Sequence, residues 1–386
     1  MEMTLGLLTP EYPHPHCGAC GGIGSSVQNS ARALVQLGHK VIVFVYGQSS
    51  NQVLEDQGVQ LHLIQSKSYR FAGWYLYRKH IQKYVNACVL TEKIQLLEAP
   101  DWTGITAFMN LKAPLVIRFH GTDAYFCHLE GRRQKLKNFM LEKWAIRRAI
   151  GFSTPTNFAA EITKYIFRIK KKPIVTIPNG INLSQFNNPN PNDFESGMIL
   201  YFGTLIRKKG VFELVEIFSK VLEKQPNARL LLVGADAPDI QSGADSTWSE
   251  LQKNTNSSVL KHITYVGKVS YDQMQEYIRK AQLCVLPSLA ETQGMVTLEA
   301  MAMQKPVLTS NRGWSAELIT PNQSGFLLNP HHHDEFAACI CELLADPARC
   351  LVIGEQARTQ VQLHFDSLHL AQQTAQFYET LIQQPC

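Results

Sequence analysis

The chain predicts an α/β protein built from two doubly wound parallel sheets. Three observations lead there. Short apolar strands alternate with helical stretches in two successive runs; a stretch rich in Asn, Pro and Asp separates the runs; and 386 residues with 45 % apolar content suffice for two cores.

The first run begins with a strand over residues 3–8. A helix over 27–37 follows, with Val27, Ala31, Leu34 and Val35 at helical spacing and Gly38 to close it. β-Branched residues mark a buried strand over 41–46, with further strands over 60–64 and 115–119. A helix over 134–149 and short strands over 151–154 and 174–177 complete this half. Residues 183–197 read as a linker, because they are poor in apolar residues. The second run places strands at 198–202, 229–233, 262–266, 284–286 and 306–310. Helices at 211–223, 271–280 and 333–344 alternate with them, and 357–382 reads as a last helix that packs back on the first domain. The expected division is thus 1–182, linker 183–197, 198–356 and a C-terminal segment 357–386. Ligand sites of such sheets lie at the carboxyl ends of the strands.

Charge is unevenly shared. Residues 1–190 carry 22 Lys and Arg against 11 Asp and Glu, whereas the remainder carries 15 against 21. The basic excess concentrates in 131–150 and 168–173, which suggests that the first half meets an acidic surface or substrate. Segment 131–150 fits both a helix at an anionic membrane face and an ordinary solvated helix covering a sheet. No aromatic RNA-binding pattern or zinc-finger spacing accompanies the charge, so nucleic acid is not an expected partner. No apolar run approaches the roughly 18 residues needed to span a bilayer. The N-terminus lacks the positive region of a signal peptide and reads as a first strand. Nine scattered cysteines suit reduced thiols, and the expected location is cytoplasmic or peripheral at the inner face of a membrane.

The chemistry concentrates in residues 281–308, AQLCVLPSLAETQGMVTLEAMAMQKPVL. A buried strand meets a Pro-Ser turn and a loop that opens with Glu291; Gly294 then starts a helix carrying Glu299. The unpaired N–H groups at Met295, Val296 and Thr297 attract anions, and carboxylates make strong hydrogen bonds to hydroxyls. A phosphate at the helix start with hydroxyl-rich groups on either side describes a nucleotide-sugar. The glycine-rich CGACGGIGSS (17–26) could also admit a phosphate. A dinucleotide fingerprint needs a third glycine and an acid ending the second strand; Ser25-Ser26-Val27 and Gly47-Gln48 supply neither. Cys17 and Cys20, with His14 and His16 nearby, invite a redox or zinc reading. Gly21–Gly24 intervenes before the helix, however, and no second Cys/His pair has ligand spacing. The three histidines at 331–333 diverge around a helix start and are read as such.

The order E-x7-E, with glycine between and EAMA after, resembles the signature of the retaining GT-B glycosyltransferases of the large family 4 (glycosyl transferases group 1), and the resemblance covers nearly the whole chain. It implies two Rossmann-like domains facing a central cleft, with the acceptor on the first and the nucleotide-sugar on the second. It implies that Glu299 holds ribose hydroxyls and Glu291 sugar hydroxyls. Gly294, Met295, Val296 and Thr297 would take hydroxyls and phosphate, and Gly22 would approach the donor diphosphate or sugar. In RFHGTD (118–123), His120 matches the histidine that reaches the donor sugar near the reacting carbon. Asp101-Trp102, at another strand end, suits a structural or an acceptor role. YVGK (265–268) matches the loop whose backbone contacts the base, here Val266 and Gly267, and PNGIN (178–182) a structural turn at the domain junction. The segment GTLIRKKG (203–210) matches G-R-L-x-x-x-K-G in Lys209, which would clamp the leaving diphosphate. Thr204 stands where the family has arginine, with Arg207 or Lys208 as substitutes for its charge.

The expected activity is therefore a metal-independent, retaining transfer of a sugar from a nucleoside diphosphate, UDP or GDP foremost, to an acceptor left unspecified. No cofactor and no metal ligand is expected; D-x-D is absent, which argues against the metal-dependent GT-A class. Two alternatives stand beside it: a non-catalytic nucleotide-sugar or membrane-binding homologue, and another GT-B activity such as epimerisation.

Overall fold

The computed structural model describes residues 2–18 and 20–383, and of Asp272 only the backbone. The chain folds as two compact units, one formed by residues 1–182 with 365–386 and the other by residues 183–364.

The first unit contains strands β1 (Thr4–Thr9), β2 (Lys40–Gln48), β3 (Gln52–Asp56), β4 (Val59–Gln65), β5 (Leu96–Pro100), β6 (Leu115–Arg118), β7 (Gly151–Thr154) and β8 (Ile174–Thr176). They form one sheet in the order β3-β4-β2-β1-β5-β6-β7-β8. Every neighbouring pair is parallel except β3 and β4. Its helices are α1 (Gly22–Gln36), α2 (Gly73–Thr91), α3 (Asp123–Leu129), α4 (Leu136–Arg148) and α5 (Asn157–Phe167). The continuous apolar run of β2 buries both its faces: Ile42, Phe44 and Tyr46 enter one core, Val41, Val43 and Val45 the other.

The second unit contains β9 (Met198–Phe202), β10 (Arg229–Val233), β11 (Ile263–Gly267), β12 (Leu283–Leu286), β13 (Val307–Ser310) and β14 (Phe326–Leu328). Their order is β11-β10-β9-β12-β13-β14, parallel throughout. Helices α6 (Val211–Lys224), α7 (Thr247–Asn254), α8 (Ser257–Leu260), α9 (Tyr271–Lys280), α10 (Met295–Ala302), α11 (His333–Ala345) and α12 (Pro347–His364) belong to it. In both sheets the chain winds outward one way and then the other, so the switch falls between β1 and β5 and between β9 and β12. The expected pair of doubly wound parallel sheets is what the chain forms.

Several elements depart from the expectations. The first helix starts at Gly22, five residues before Val27, because the Glu11 carboxylate accepts the Gly24 N–H at 2.9 Å and completes an early turn. Helix α2 escaped the sequence reading: its buried stripe, Arg78, Ile81, Val85 and Val89, is narrow and starts with a charge. The helix expected over 357–382 is two helices. Asp366 breaks it, its carboxylate accepting from the N–H groups of Leu368 and His369 at 2.9 and 3.1 Å, which starts helix α13 (Ser367–Gln383) afresh. Helix α13 lies in the first unit, where Leu381 packs against the bare backbone of Gly151 and Tyr378 donates to the buried Glu98. Residues 183–197 run along the second unit: Arg358 donates to the carbonyls of Leu183 and Ala302 at 3.2 and 2.6 Å, and Asn188 to that of Met303 at 3.1 Å. The eight described cysteines form no disulfide with one another, and Cys386, with the rest of 384–386, lies outside the described residues. Among the described residues no helix is long and apolar enough to cross a membrane.

Candidate functional site

Strands β9 and β12 are neighbours in the second sheet, so the loops leaving their carboxyl ends meet. The first loop makes a 3₁₀ turn over Arg207–Lys209 and must end in glycine. Gly210 has φ +71°, and a Cβ there would lie 2.0 Å from the Pro287 carbonyl oxygen. The Leu289 N–H donates to the Lys208 carbonyl at 2.8 Å, locking one loop to the other. This apposition brings the Lys209 ammonium onto the Glu291 carboxylate, which also accepts from the Ser288 hydroxyl at 3.2 Å. Both charges sit beside the start of α10, whose N-cap, Gly294, has φ +86° and supplies no side-chain cap.

Glu299 lies one turn further into α10 and is buried. Burial pushes its carboxyl up to about 7, opposed by the Tyr271 hydroxyl and the Lys209 charge. The Tyr271 hydroxyl donates to Glu299 at 3.0 Å. Tyr271 is fixed twice: it opens α9 behind a Ser270–Gln273 capping box, and its ring meets the Phe186 ring edge-on at 5.3 Å. Beside β9, the ends of β10 and β11 bring more bare backbone together. The Gly234 N–H donates to the Gly267 carbonyl at 2.9 Å, and a Cβ on Gly234 would lie 1.9 Å from the Gly203 carbonyl oxygen. Val266 and Gly267 thus occupy a strand end separated from Gly203 and Thr204 by the end of β10 at Gly234. Thr204 is exposed, and its carbonyl accepts from the Tyr201 hydroxyl at 2.9 Å. Met295 and Thr297 are buried, while Val296 is partly exposed.

Arg207, a candidate substitute for the missing arginine, is paired with a carboxylate. Its guanidinium grips Asp239 through Nε at 3.0 Å and Nη2 at 2.6 Å, and lies 4.1 Å from the centre of the Phe212 ring. The pairing holds the Asp239 carboxyl far below its ordinary range. Arg207 therefore brings a charge already neutralised by its neighbour.

In the first unit the sequence-predicted residues gather at strand ends. Asp101 follows β5 and accepts from the N–H groups of His120 and Gly121 at 2.9 and 3.0 Å, which fixes the loop after β6. Burial raises the Asp101 carboxyl to about 7. His120 is half-buried; desolvation, with the Arg118 charge adding, pushes it down to about 3, so the imidazole is neutral at any ordinary pH. Arg118 itself is buried and holds the PNGIN turn. It donates to the carbonyl of Ile177 and the side chain of Asn179 at 2.9 and 2.8 Å, and Asn179 also accepts from the Ser26 hydroxyl at 2.7 Å. That is the structural part expected of the turn. Gly22 opens α1, exposed, with open space where a Cβ would stand.

Sequence reasoning missed Glu11, Tyr271, Asp239 and Gly234. The last two lie in VGADAPD (233–239), whose glycine at a strand end was a usable signal; nothing local marks Tyr271 as a partner of Glu299.

Both units carry the fold of GT-B glycosyltransferases, and the comparisons agree. Residues 184–360 match the family described as glycosyl transferases group 1, and residues 20–185 match glycosyltransferase family 4. The chain belongs to this family and is a glycosyltransferase. It is 24 % identical to an uncharacterized glycosyltransferase of Methanocaldococcus jannaschii, over 98 % of each chain. Sucrose-phosphate synthase from Thermosynechococcus elongatus has the same fold, with TM-score 0.79, 21 % identity, and 98 % of this chain and 99 % of that one covered. Anabaena HepE in complex with UDP also shares it, with TM-score 0.71, 18 % identity, and 98 % and 100 % covered.

Proposed function

We propose that the protein transfers a sugar from a nucleoside diphosphate to an acceptor with retention of configuration and without a metal ion. The observation that carries this reading is the meeting of Lys209 and Glu291 at the β9–β12 switch, beside the start of α10 on Gly294. A cation and a helix N-terminus together suit a diphosphate, and the carboxylate next to them suits hydroxyls of the sugar attached to it. Glu299, oriented by Tyr271, takes the ribose hydroxyls. Backbone groups at Gly294, Met295, Val296 and Thr297 take phosphate and sugar hydroxyls, and Val266 and Gly267 meet the base. Lys209 neutralises charge that develops on the leaving diphosphate, the electrostatic contribution that commonly dominates such catalysis; Thr204 adds a hydroxyl. To Gly22 and His120 we assign the contacts with donor diphosphate and sugar that the family likeness implies. A neutral His120 can accept or donate one hydrogen bond without adding charge. The first unit is proposed as the acceptor-binding part and the second as the donor-binding part.

UDP- and GDP-sugars are the proposed donors; HepE in complex with UDP supports a nucleotide of this class. The proposal includes a peripheral seat at an anionic membrane, because the first half is basic. One observation favours a second reading, a donor-binding homologue without turnover. With Thr204 in the arginine position and Arg207 paired to Asp239, Lys209 faces the diphosphate with little help.

The test is a thermal-shift screen of UDP-, GDP- and ADP-sugars in chelator, followed by assay of free nucleoside diphosphate and of the anomeric configuration of the product. A true donor at 100 times its Kd should add about 2.7 kcal/mol. Stabilisation with no release of nucleoside diphosphate to any acceptor selects the binder. Loss of turnover in chelator removes metal independence, and an inverted product removes retention.

A further inference from the structure

Among the described residues, one face of α4 is partly open, with Leu136, Lys137, Met140 and Arg147 exposed. Leu136, Lys137, Met140, Lys143, Trp144 and Arg147 fall at i, i+1, i+4, i+7, i+8 and i+11, on one side of the helix. The opposite side buries Leu141, Ala145 and Ile146. On the open side Leu136 is 75 % exposed and Met140 40 %. The helix's sole acid, Glu142, is buried and points the other way, accepting from the Asp123 N–H at 2.8 Å.

The start of α2 continues this face. The Lys137 ammonium lies 5.5 Å from the centre of the Trp74 ring, and Trp74 is 43 % exposed. Phe108 joins the two helices underneath, 5.5 Å from Trp74 and 4.2 Å from Trp144 between ring centres. Just before α2, Phe71 is 75 % exposed with the Arg70 guanidinium 5.6 Å from its ring. No acidic residue occurs between Asp56 and Glu92, so nothing along α2 opposes these cations.

Apolar side chains projecting among cations, with indole rings at their edge, match an interface that is hydrocarbon below and anionic above. A solvated helix would show charges of both signs and few exposed leucine or methionine side chains. We infer that the α4 face, extended by Phe71 and Trp74, is the surface by which the protein docks on an anionic lipid bilayer. Lys137, Lys143 and Arg147 meet lipid phosphates while Leu136 and Met140 enter the acyl boundary. The inference deepens the peripheral membrane reading above and rests on it, and it is independent of the chemistry at Lys209.

The test is sedimentation of the full chain with vesicles of phosphatidylglycerol and phosphatidylcholine, against phosphatidylcholine alone, at low and high salt. Binding to the anionic vesicles only, weakened by salt, is expected. Each cation near such a surface contributes about fivefold, so a Lys137→Ala, Lys143→Ala, Arg147→Ala triple variant should bind on the order of 100-fold more weakly. Leu136→Ser with Met140→Ser should also weaken binding, at unchanged net charge. The substituted side chains stand on the open face, and an unaltered melting temperature confirms folding. Anionic-vesicle binding that ignores both variants overturns this surface while the membrane reading survives. Absence of binding by the unaltered protein at low salt overturns both. Binding that depends on the cations but ignores the Leu136 and Met140 changes would overturn the entry of those two side chains into the acyl boundary.

Discussion

The two switch points use carboxylates in opposite ways. In the first unit they serve the fold's own backbone: Glu11 accepts from Gly24, Asp101 from His120 and Gly121, Glu142 from Asp123 and Ala124. Two of these occupy helix starts, α1 and α3, where an anion is favoured. In the second unit α10 begins on a glycine with no side-chain cap. The nearby Glu291 turns to Lys209 and Ser288 instead, and Glu299 to a tyrosine hydroxyl. A chain that places its own anion on the first N–H groups of a helix closes that position; one that sets a lysine beside a helix start on glycine favours an anion from outside. The first arrangement stabilises loops, and the second suits a phosphate.

The largest effect should come from the cation of the second switch point. Lys209→Ala is expected to raise the barrier by about 3–4 kcal/mol, as loss of one preorganised group at developing charge typically does. Steady-state kinetics with a saturating donor would measure it, and an unchanged kcat would erase the contrast between the switch points.

Next in size is a change in the first unit. Arg118 sits among the Ile177, Pro178 and Asn179 acceptors and faces the buried Glu98, whose carboxyl burial raises and the Arg118 charge lowers. Removing it strands that polar cluster, and Arg118→Ala should cost about 3 kcal/mol of stability. Denaturant unfolding of the first unit would read this. Full stability together with lost turnover would instead make Arg118 a residue of the chemistry.

Glu299→Ala sharpens the comparison within α10. Loss of charge-assisted bonds to ribose should weaken nucleotide binding by about 1.5–3 kcal/mol, measured by calorimetry with the bare nucleoside diphosphate. Because its folded pKa is raised, to about 7 from an ordinary 4.5, the carboxyl takes up a proton as pH falls through about 7. Nucleotide affinity should decline over the same range, and the variant should lack that decline. The stability sign is the reverse. The folded state holds this proton more tightly than the unfolded chain, so stability from Glu299 is complete below about pH 4.5 and lost as pH rises through about 7.

The smallest effect should belong to Arg207. With its guanidinium on Asp239, Arg207→Ala should alter turnover by about twofold or less, the size of a peripheral change, whereas Thr204→Arg should raise turnover by adding an uncommitted cation. Kinetics on both variants in chelator would check this. A large loss on Arg207→Ala, with no gain from Thr204→Arg, would show that Arg207 reaches the diphosphate despite Asp239.

Much of this was legible in the sequence, and for a definite reason. Strand alternation, β-branched runs and turn glycines act over a few residues, so the order of β1, β2, β9 and β12 and the glycine before α10 could be read in one dimension. Glu291 and Glu299 could be placed around a helix start in the same way, and Lys209 was singled out by its match to the family pattern. What tertiary structure decided is which charges meet. Lys209 and Glu291 are 82 residues apart and touch because β9 and β12 pair in register. Nothing in GTLIRKKG shows that Arg207 is ion-paired; Asp239 arrives from the loop after β10, beyond a whole helix. Tyr271 reaches Glu299 from 28 residues away, at the start of α9, and Glu11 reaches Gly24 across a loop whose length gives no hint of it. Local propensity sets where an element begins; long-range strand pairing and side-chain packing determine which carboxylates and cations meet.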